Sequence, residues 1–133
     1  MKKRIKCAVI ALLAICCYYF QWGRDVSVKT TISTSWGGGR TEYIILVANR
    51  LYIWDRESFA RQIIGTCVDN EFRDVRFSYD MGYPSEITID VYTNEISRKL
   101  GIRCCNVRYA QDAEDEYRYN VRDNPEKFIM TVR

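Results

Sequence analysis

The chain has 133 residues, with 20 lysines and arginines, 17 aspartates and glutamates, and no histidine. The absence of histidine excludes catalytic triads of the Ser-His-Asp or Cys-His type and zinc sites that depend on His/Cys spacing. Five of the basic residues lie within residues 1–24, so the rest of the chain carries 15 basic and 17 acidic residues. A slightly acidic body lacks the basic surface of a nucleic-acid-binding protein, and no nucleic-acid partner is predicted.

The first two dozen residues combine a basic start with a continuous apolar run. The apolar run covers residues 7–20, ends in aromatic residues, and follows four basic residues: Lys2, Lys3, Arg4 and Lys6. This order directs a chain to a membrane, and aromatic rings suit the membrane–water interface. More positive charge precedes the run than follows it, which predicts a cytoplasmic N-terminus and a domain outside the cytoplasm. Residues 1–24 are therefore predicted to be a single-pass signal-anchor or a signal peptide that binds the membrane.

Three interpretations of this segment stay open from the sequence. The apolar run is 14 residues long, about 21 Å as a helix, against a hydrocarbon core of about 30 Å, so its length fits a cleaved signal peptide. A bulky aromatic cluster follows the small residue Ala14, which makes a poor cleavage site and favours a retained anchor. The third interpretation is a buried first helix of a cytosolic protein, although four positive charges disfavour that helix end.

The chain beyond residue 24 shows short strand patterns separated by turns. Alternating or β-rich stretches predict strands at 26–33, 43–47, 51–54, 75–79, 87–91, 102–109 and 128–132. The alternative interpretation of 26–33 is a Ser/Thr-rich linker that follows the membrane segment.

One helix is predicted after Asp55. Asp55 is a good N-cap, and Trp54 and Phe59 have the spacing of a hydrophobic staple. Apolar residues then recur on one stripe: Phe59, Ala60, Ile63, Ile64 and Cys67. Gly65 is interpreted as a position where another backbone comes close. One helix on one face of a mostly antiparallel sheet is an α+β fold, so a single small domain is predicted over residues 25–133.

Candidate chemistry is sparse in this domain. The acidic stretch 112–116 lacks the glycine and glutamate of a calcium-binding EF-hand loop and is interpreted as a solvated loop. Cys104 and Cys105 are adjacent in a predicted strand, where side chains point to opposite faces, with Cys105 inward. Cys67 on the helix is expected to meet Cys105, either as two buried thiols or as a disulfide. No cofactor, metal or catalytic residue is predicted.

A predicted hairpin tip is the candidate contact surface, formed by Tyr79, Asp80 and Tyr83. Exposed tyrosines supply binding energy at low entropic cost; the alternative is a turn whose rings fold back onto the sheet. The sequence thus favours a membrane-anchored binding module over an enzyme, with an unidentified protein as its partner. The alternatives are a small carboxylate-dependent hydrolase built on Asp80 or Asp90, and a cytosolic globular protein with a buried first helix.

Overall fold

The computed structural model describes residues 1–36, 39–77, 82–111 and 119–133. In chain order the elements are α1 (Lys2–Trp22), β1 (Ser27–Trp36), β2 (Gly39–Val47), α2 (Arg56–Val68), β3 (Glu86–Tyr92), α3 (Glu95–Lys99), β4 (Cys105–Gln111), a 3-10 helix (Pro125–Lys127) and β5 (Phe128–Val132). The strands form one sheet in the order β1-β2-β3-β4-β5.

The sheet is mixed, with one parallel pair among antiparallel ones. Strands β2 and β3 are parallel, whereas β1–β2, β3–β4 and β4–β5 are antiparallel. Parallel neighbours need a crossover connection, and α2 supplies it between β2 and β3. The predicted α+β class and the mostly antiparallel sheet are confirmed.

The core lies between α2 and one face of the sheet. Asp55 caps the helix, since its carboxylate accepts a hydrogen bond from the Ser58 amide at 3.0 Å. All five residues of the predicted apolar stripe are buried. They join buried strand residues in one hydrophobic cluster that includes Ile44, Leu46, Ile87, Ile89, Val91, Cys105 and Val107. Burial of this stripe against the sheet is the main source of the helix's stability.

One detail predicted for α2 is wrong, at Gly65, whereas the hydrophobic staple stays a prediction. Trp54 is 75 % exposed and its ring meets that of Tyr52, while the ring of Phe59 is covered by the Arg50 guanidinium at 4.7 Å. Gly65 has open space where a Cβ would be, with nothing within 4 Å, so no backbone comes close there.

Two predicted strands are absent from the described residues. In each of these segments, a side chain makes the backbone hydrogen bonds that a neighbouring strand would make in a sheet. Residues 51–54 are irregular, and the amides of Leu51 and Tyr52 donate to the Gln21 side chain. Residues 75–77 are also irregular, since the Asn70 side chain accepts from the Phe77 amide and donates to the Phe77 carbonyl. The last two residues of predicted strand 75–79 lie outside the described residues.

Residues 26–33 form a strand and not a linker, but its pattern is interrupted. The register with β2 shifts between Val28 and Thr30, which is a β-bulge at Lys29. A bulge moves the following side chains to the other face. Val28 therefore faces the core with Leu46, whereas Ile32 is 53 % exposed on the other face. Strand β4 begins three residues later than predicted, at Cys105.

The two ends of the sheet differ in what is attached to them. Because Val47 pairs with both Ser27 and Tyr92, and Val91 pairs with Cys105, β1 and β4 begin where β2 and β3 end. We call this the α1 end, since α1 precedes β1 there. The distal end is the opposite one, where β1 meets β2 and where β3 begins.

Candidate functional site

Helix α1 leaves the domain at the α1 end and is covered by it at a single residue. Gln21 is 5 % exposed, whereas every other residue of α1 is exposed. The Gln21 Nε2 donates to the Tyr52 carbonyl at 2.6 Å, and its Oε1 accepts from the amides of Leu51 at 2.9 Å and Tyr52 at 3.0 Å. In the described part of the chain, α1 is the one helix long and apolar enough to cross a membrane, by length and composition.

Of the predicted contact residues, the structure describes Tyr83, whereas Tyr79 and Asp80 lie outside the described residues. Tyr83 is half-buried at the distal end and packs against the core cluster. The Arg122 guanidinium lies 5.8 Å from its ring centroid, a cation–π distance. Arg122 also forms a 3.1 Å ion pair with Asp69 at the end of α2. The Arg122 side chain therefore connects the ring of Tyr83 to the end of α2.

A buried carboxylate organises the strands at the distal end. Glu42 is 1 % exposed. Its Oε1 lies 2.7 Å from the Arg40 Nη2, and the Ser33 hydroxyl donates to its Oε2 at 2.6 Å. The Arg40 carbonyl accepts from the Ser85 amide at 2.7 Å, which joins this group to the segment that precedes β3. The distal end is therefore held by a buried ion pair and backbone hydrogen bonds.

The sheet face opposite α2 carries a second carboxylate network. Asp90 is 7 % exposed and accepts hydrogen bonds from three neighbouring side chains. Its Oδ1 accepts from Arg103 Nη1 at 2.9 Å and from Asn106 Nδ2 at 2.7 Å, and its Oδ2 accepts from the Tyr43 hydroxyl. Register explains the meeting, because Asp90 pairs directly with Asn106 across β3 and β4.

These contacts change the pKa values of both acidic groups. Burial acts to raise the pKa of Asp90, but the hydrogen bonds from Tyr43 and Asn106 and the charge of Arg103 outweigh it, so that pKa is lowered. The hydrogen bond to Asp90, together with burial, raises the pKa of Tyr43 to about 12. Asp90 is thus an ionised acceptor and Tyr43 a neutral donor at neutral pH. A general acid or base works best with a pKa near the working pH, which these groups lack.

Cys67 and Cys105 are core residues as predicted, whereas Cys104 precedes β4 and packs against the same core instead of facing away from it. Cys67 and Cys105 are buried free cysteines, and Cys104 is half-buried. Burial, then the neighbouring Cys104, raises the pKa of Cys105 to about 11, so Cys105 is a protonated core residue at neutral pH. Within the described ranges, no three cysteine, aspartate or glutamate side chains group together as metal ligands. The acidic stretch 112–116 lies outside those ranges.

A groove of about 520 Å³ runs between α2 and β5 and was not predicted from the sequence. Its apolar wall includes Ile64, Val68, Phe128 and Met130. Tyr109 closes it from β4, where burial and then the charge of Glu126 raise the pKa of its hydroxyl. The sequence signals near this groove were the apolar stripe of α2 and the apolar alternation in β5, and both indicated core packing only.

No family model matches this sequence, and neither a characterised protein nor a solved structure is significantly similar to it.

Proposed function

We propose that the protein is a single-pass membrane-anchored binding module whose domain lies outside the cytoplasm and binds another protein. The observation that carries the proposal is an apolar helix of 21 residues that its own domain leaves uncovered except at Gln21. Apolar surface of this extent is unfavourable in water and implies a partner environment. A lipid bilayer is the environment that covers a single apolar helix on all sides.

The length of α1 supports a span and not only a signal-peptide core. The part of α1 that follows Lys6 rises about 24 Å, and the Lys6 side chain can extend back to the headgroups, so α1 can cross a hydrocarbon core of about 30 Å. The buried-first-helix alternative needs a cover for α1 that the described residues of this chain do not supply. At the C-terminal end of α1, the exposed aromatic rings of Tyr18, Tyr19, Phe20 and Trp22 suit the membrane–water interface.

Charge sets the proposed orientation. Four basic residues precede the apolar part of α1, whereas Arg24 after it is followed by Asp25. The Arg24 side chain donates to the Phe20 carbonyl at 3.2 Å. The partial negative charge of the helix C-terminus stabilises a cation at this position. The basic start therefore stays in the cytoplasm and the domain is placed outside it.

The binding part of the proposal rests on the distal end. This end points away from α1, and Tyr83 presents the accessible part of its ring there beside Arg122. We propose that Tyr79, Asp80 and Tyr83 contact the partner, since tyrosine and arginine dominate binding surfaces. No catalytic step is proposed, because the pKa values of Asp90 and Tyr43 favour fixed hydrogen bonding.

The anchor is tested by comparing the full chain with a fragment of residues 25–133. The full chain should stay with membranes through high-salt and alkaline washes, whereas the fragment should remain in the supernatant. Release of the full chain by salt alone would contradict the anchor, and a mature N-terminus near Cys17 would show a cleaved signal peptide instead.

The contact surface is tested by a photo-crosslinking side chain placed at Tyr79 or Tyr83 in the membrane-bound full chain. A discrete adduct from these positions is expected, with none from Thr131 on β5, an exposed control. Equal adducts from all three positions, or adducts from Thr131 only, would overturn the assignment of this surface.

A further inference from the structure

Large apolar side chains outside α1 are exposed mostly in two connections of the domain. Among the described residues, eight such side chains are exposed beyond α1, and six of them lie between β2 and α2 or between β3 and β4. These six are 53 to 75 % exposed: Leu51, Tyr52, Trp54, Ile96, Leu100 and Ile102. Single exposed apolar residues are normal on a protein surface, but a cluster marks a contact surface.

The topology brings these two connections together. Strands β2 and β3 are parallel and both end at the α1 end, so the segments that follow them begin side by side. The Ala48 amide donates to the Tyr92 carbonyl at 2.8 Å, and the Arg50 amide to the Thr93 carbonyl at 2.9 Å. We call the six side chains the apolar rim.

Helix α1 is attached to the same end of the domain. The three hydrogen bonds of Gln21 join its last turn to Leu51 and Tyr52, which belong to the rim. Residues 1–20 are exposed throughout, so α1 projects from the domain and does not lie along it. A bilayer crossed by α1 therefore meets the domain at the apolar rim.

The charges near the rim are arranged to suit a lipid surface. Arg56 and Lys99 are exposed there as cations for lipid phosphates. The nearby carboxylates have partners within the protein: Asp55 caps α2, Glu57 pairs with Arg61, and Glu95 pairs with Arg98. Their negative charge is thus partly neutralised where the domain would approach an anionic membrane.

We infer that the apolar rim inserts into the interfacial layer of the bilayer and holds the domain against the membrane, with the distal end directed outward. Tyr52 and Trp54 are residues that prefer this layer, and four aliphatic side chains add apolar area. The inference rests on the proposed anchoring by α1, because the span of α1 places the membrane at this end. A second copy of the chain or another membrane protein as the occupant of the rim are outcomes that the test separates.

The test uses the full chain reconstituted in vesicles of phosphatidylcholine and phosphatidylglycerol, with and without bromine atoms near the top of the acyl chains. Three double variants each keep one tryptophan. W22F/W36F keeps Trp54 in the rim, W36F/W54F keeps Trp22 at the end of α1, and W22F/W54F keeps Trp36, which ends β1 at the distal end. Bromine quenches tryptophan emission only over a short range, so each variant reports its own distance to lipid.

Trp22 and Trp54 should lose most of their emission in brominated vesicles, whereas Trp36 should keep its emission. A fourth variant, L100W in a background of W22F, W36F and W54F, should be quenched as Trp54 is, which tests the other connection of the rim independently. Quenching of Trp22 without Trp54 and position 100 would leave the anchor intact and overturn the rim. Quenching at none of these positions would overturn both proposals.

Shielding of Trp54 from water without quenching by bromine would have a different cause. If the emission of Trp54 is shifted to the blue but brominated lipid does not quench it, a protein covers the rim, and the lipid assignment is wrong. Quenching of Trp54 and position 100 without Trp22 would support the rim as a membrane-binding surface and overturn the span of α1.

Discussion

The connections at the two ends of the sheet are held by different interactions. At the α1 end, the connections turn apolar side chains such as Trp54 and Leu100 outward and rely on Gln21 for hydrogen bonds. At the distal end, Glu42 and Arg40 form a buried ion pair, and Arg122 joins Tyr83 to Asp69. The difference teaches that the α1 end leaves apolar side chains exposed, whereas the described residues of the distal end pair their charged groups within the protein and present polar and aromatic side chains.

The largest expected effect tests whether both ends belong to one cooperative unit. Phe59→Ala should cost about 3–5 kcal/mol of unfolding free energy, because it leaves a cavity between α2 and the sheet. Urea unfolding of the detergent-solubilised full chain measures it. Arg61→Ala, on the exposed side of α2, is the matched control and should change stability little. A larger loss from Arg61→Ala would contradict the packing of this helix.

A second substitution breaks the distal end alone. Arg40→Ala should cost about 3 kcal/mol, since it leaves the Glu42 carboxylate buried without its charge partner. The double variant R40M/E42M should regain most of that loss, because replacing both charges removes the cost of an unpaired one. If the double variant were less stable than the single one, the ion pair itself would be the stabilising element.

At the α1 end, Gln21→Ala should release the connection after β2. The amides of Leu51 and Tyr52 lose their acceptor, at a cost of about 1–3 kcal/mol. Hydrogen exchange of these two amides in the full chain should accelerate, whereas exchange of the Ser58 amide, which donates to Asp55, should stay unchanged. Unchanged protection in Gln21→Ala would show that α1 is not joined to the domain here.

The Asp90 network predicts stability changes at both pH extremes. The pKa of Tyr43 is raised above its ordinary value, so its contribution is full below about pH 10 and is lost as the pH rises towards 12. The pKa of Asp90 is lowered, so its contribution is present above the ordinary aspartate range near pH 4 and is lost in acid. Tyr43→Phe should cost about 1.5 kcal/mol at neutral pH and remove the alkaline loss. Thermal unfolding between pH 8 and about 12 measures it; an unchanged alkaline profile would contradict the assignment.

The smallest effect is a gain. Gly65→Ala should stabilise the protein by about 0.5–1 kcal/mol, because a Cβ there meets only open space and alanine favours a helix. Since α2 connects the two ends, this gain should appear equally in hydrogen exchange at both of them. A loss of stability in Gly65→Ala would show that the space beside Gly65 does not accept a methyl group.

Local sequence patterns predicted the helix and the strands that pack one apolar face against the core. The stripe of α2 and strands β3 and β5 follow directly from periodicity. The patterns failed where a distant side chain replaces a strand partner, as Gln21 does for 51–52 and Asn70 does for Phe77. No short window of sequence contains both members of such a pair.

The candidate sites show the same limit. Asp90 was recognisable as a carboxylate in a strand, but its role depends on Asn106 and Arg103, which register brings to it from the next strand and its approach. The bulge at Lys29 also reversed the faces of β1, because one inserted residue changes a period of two. The apolar rim required the parallel pairing of β2 and β3, and the sequence pattern contains no sign of parallel pairing.

The joint between α1 and β1 has a mechanical consequence. Residues 23–26 connect them, and the Asp25 carbonyl accepts from the Asn49 side chain at 2.9 Å while the Asp25 carboxylate pairs with Arg73. With Gln21 also hydrogen-bonded to Leu51 and Tyr52, the domain is joined to the end of the helix at three places, so a change in helix tilt would turn the domain as well. A spanning helix tilts when the bilayer becomes thinner. In the proposed arrangement, bilayer thickness would therefore set the direction in which Tyr83 faces, and two membranes of different thickness would present the same surface at different angles.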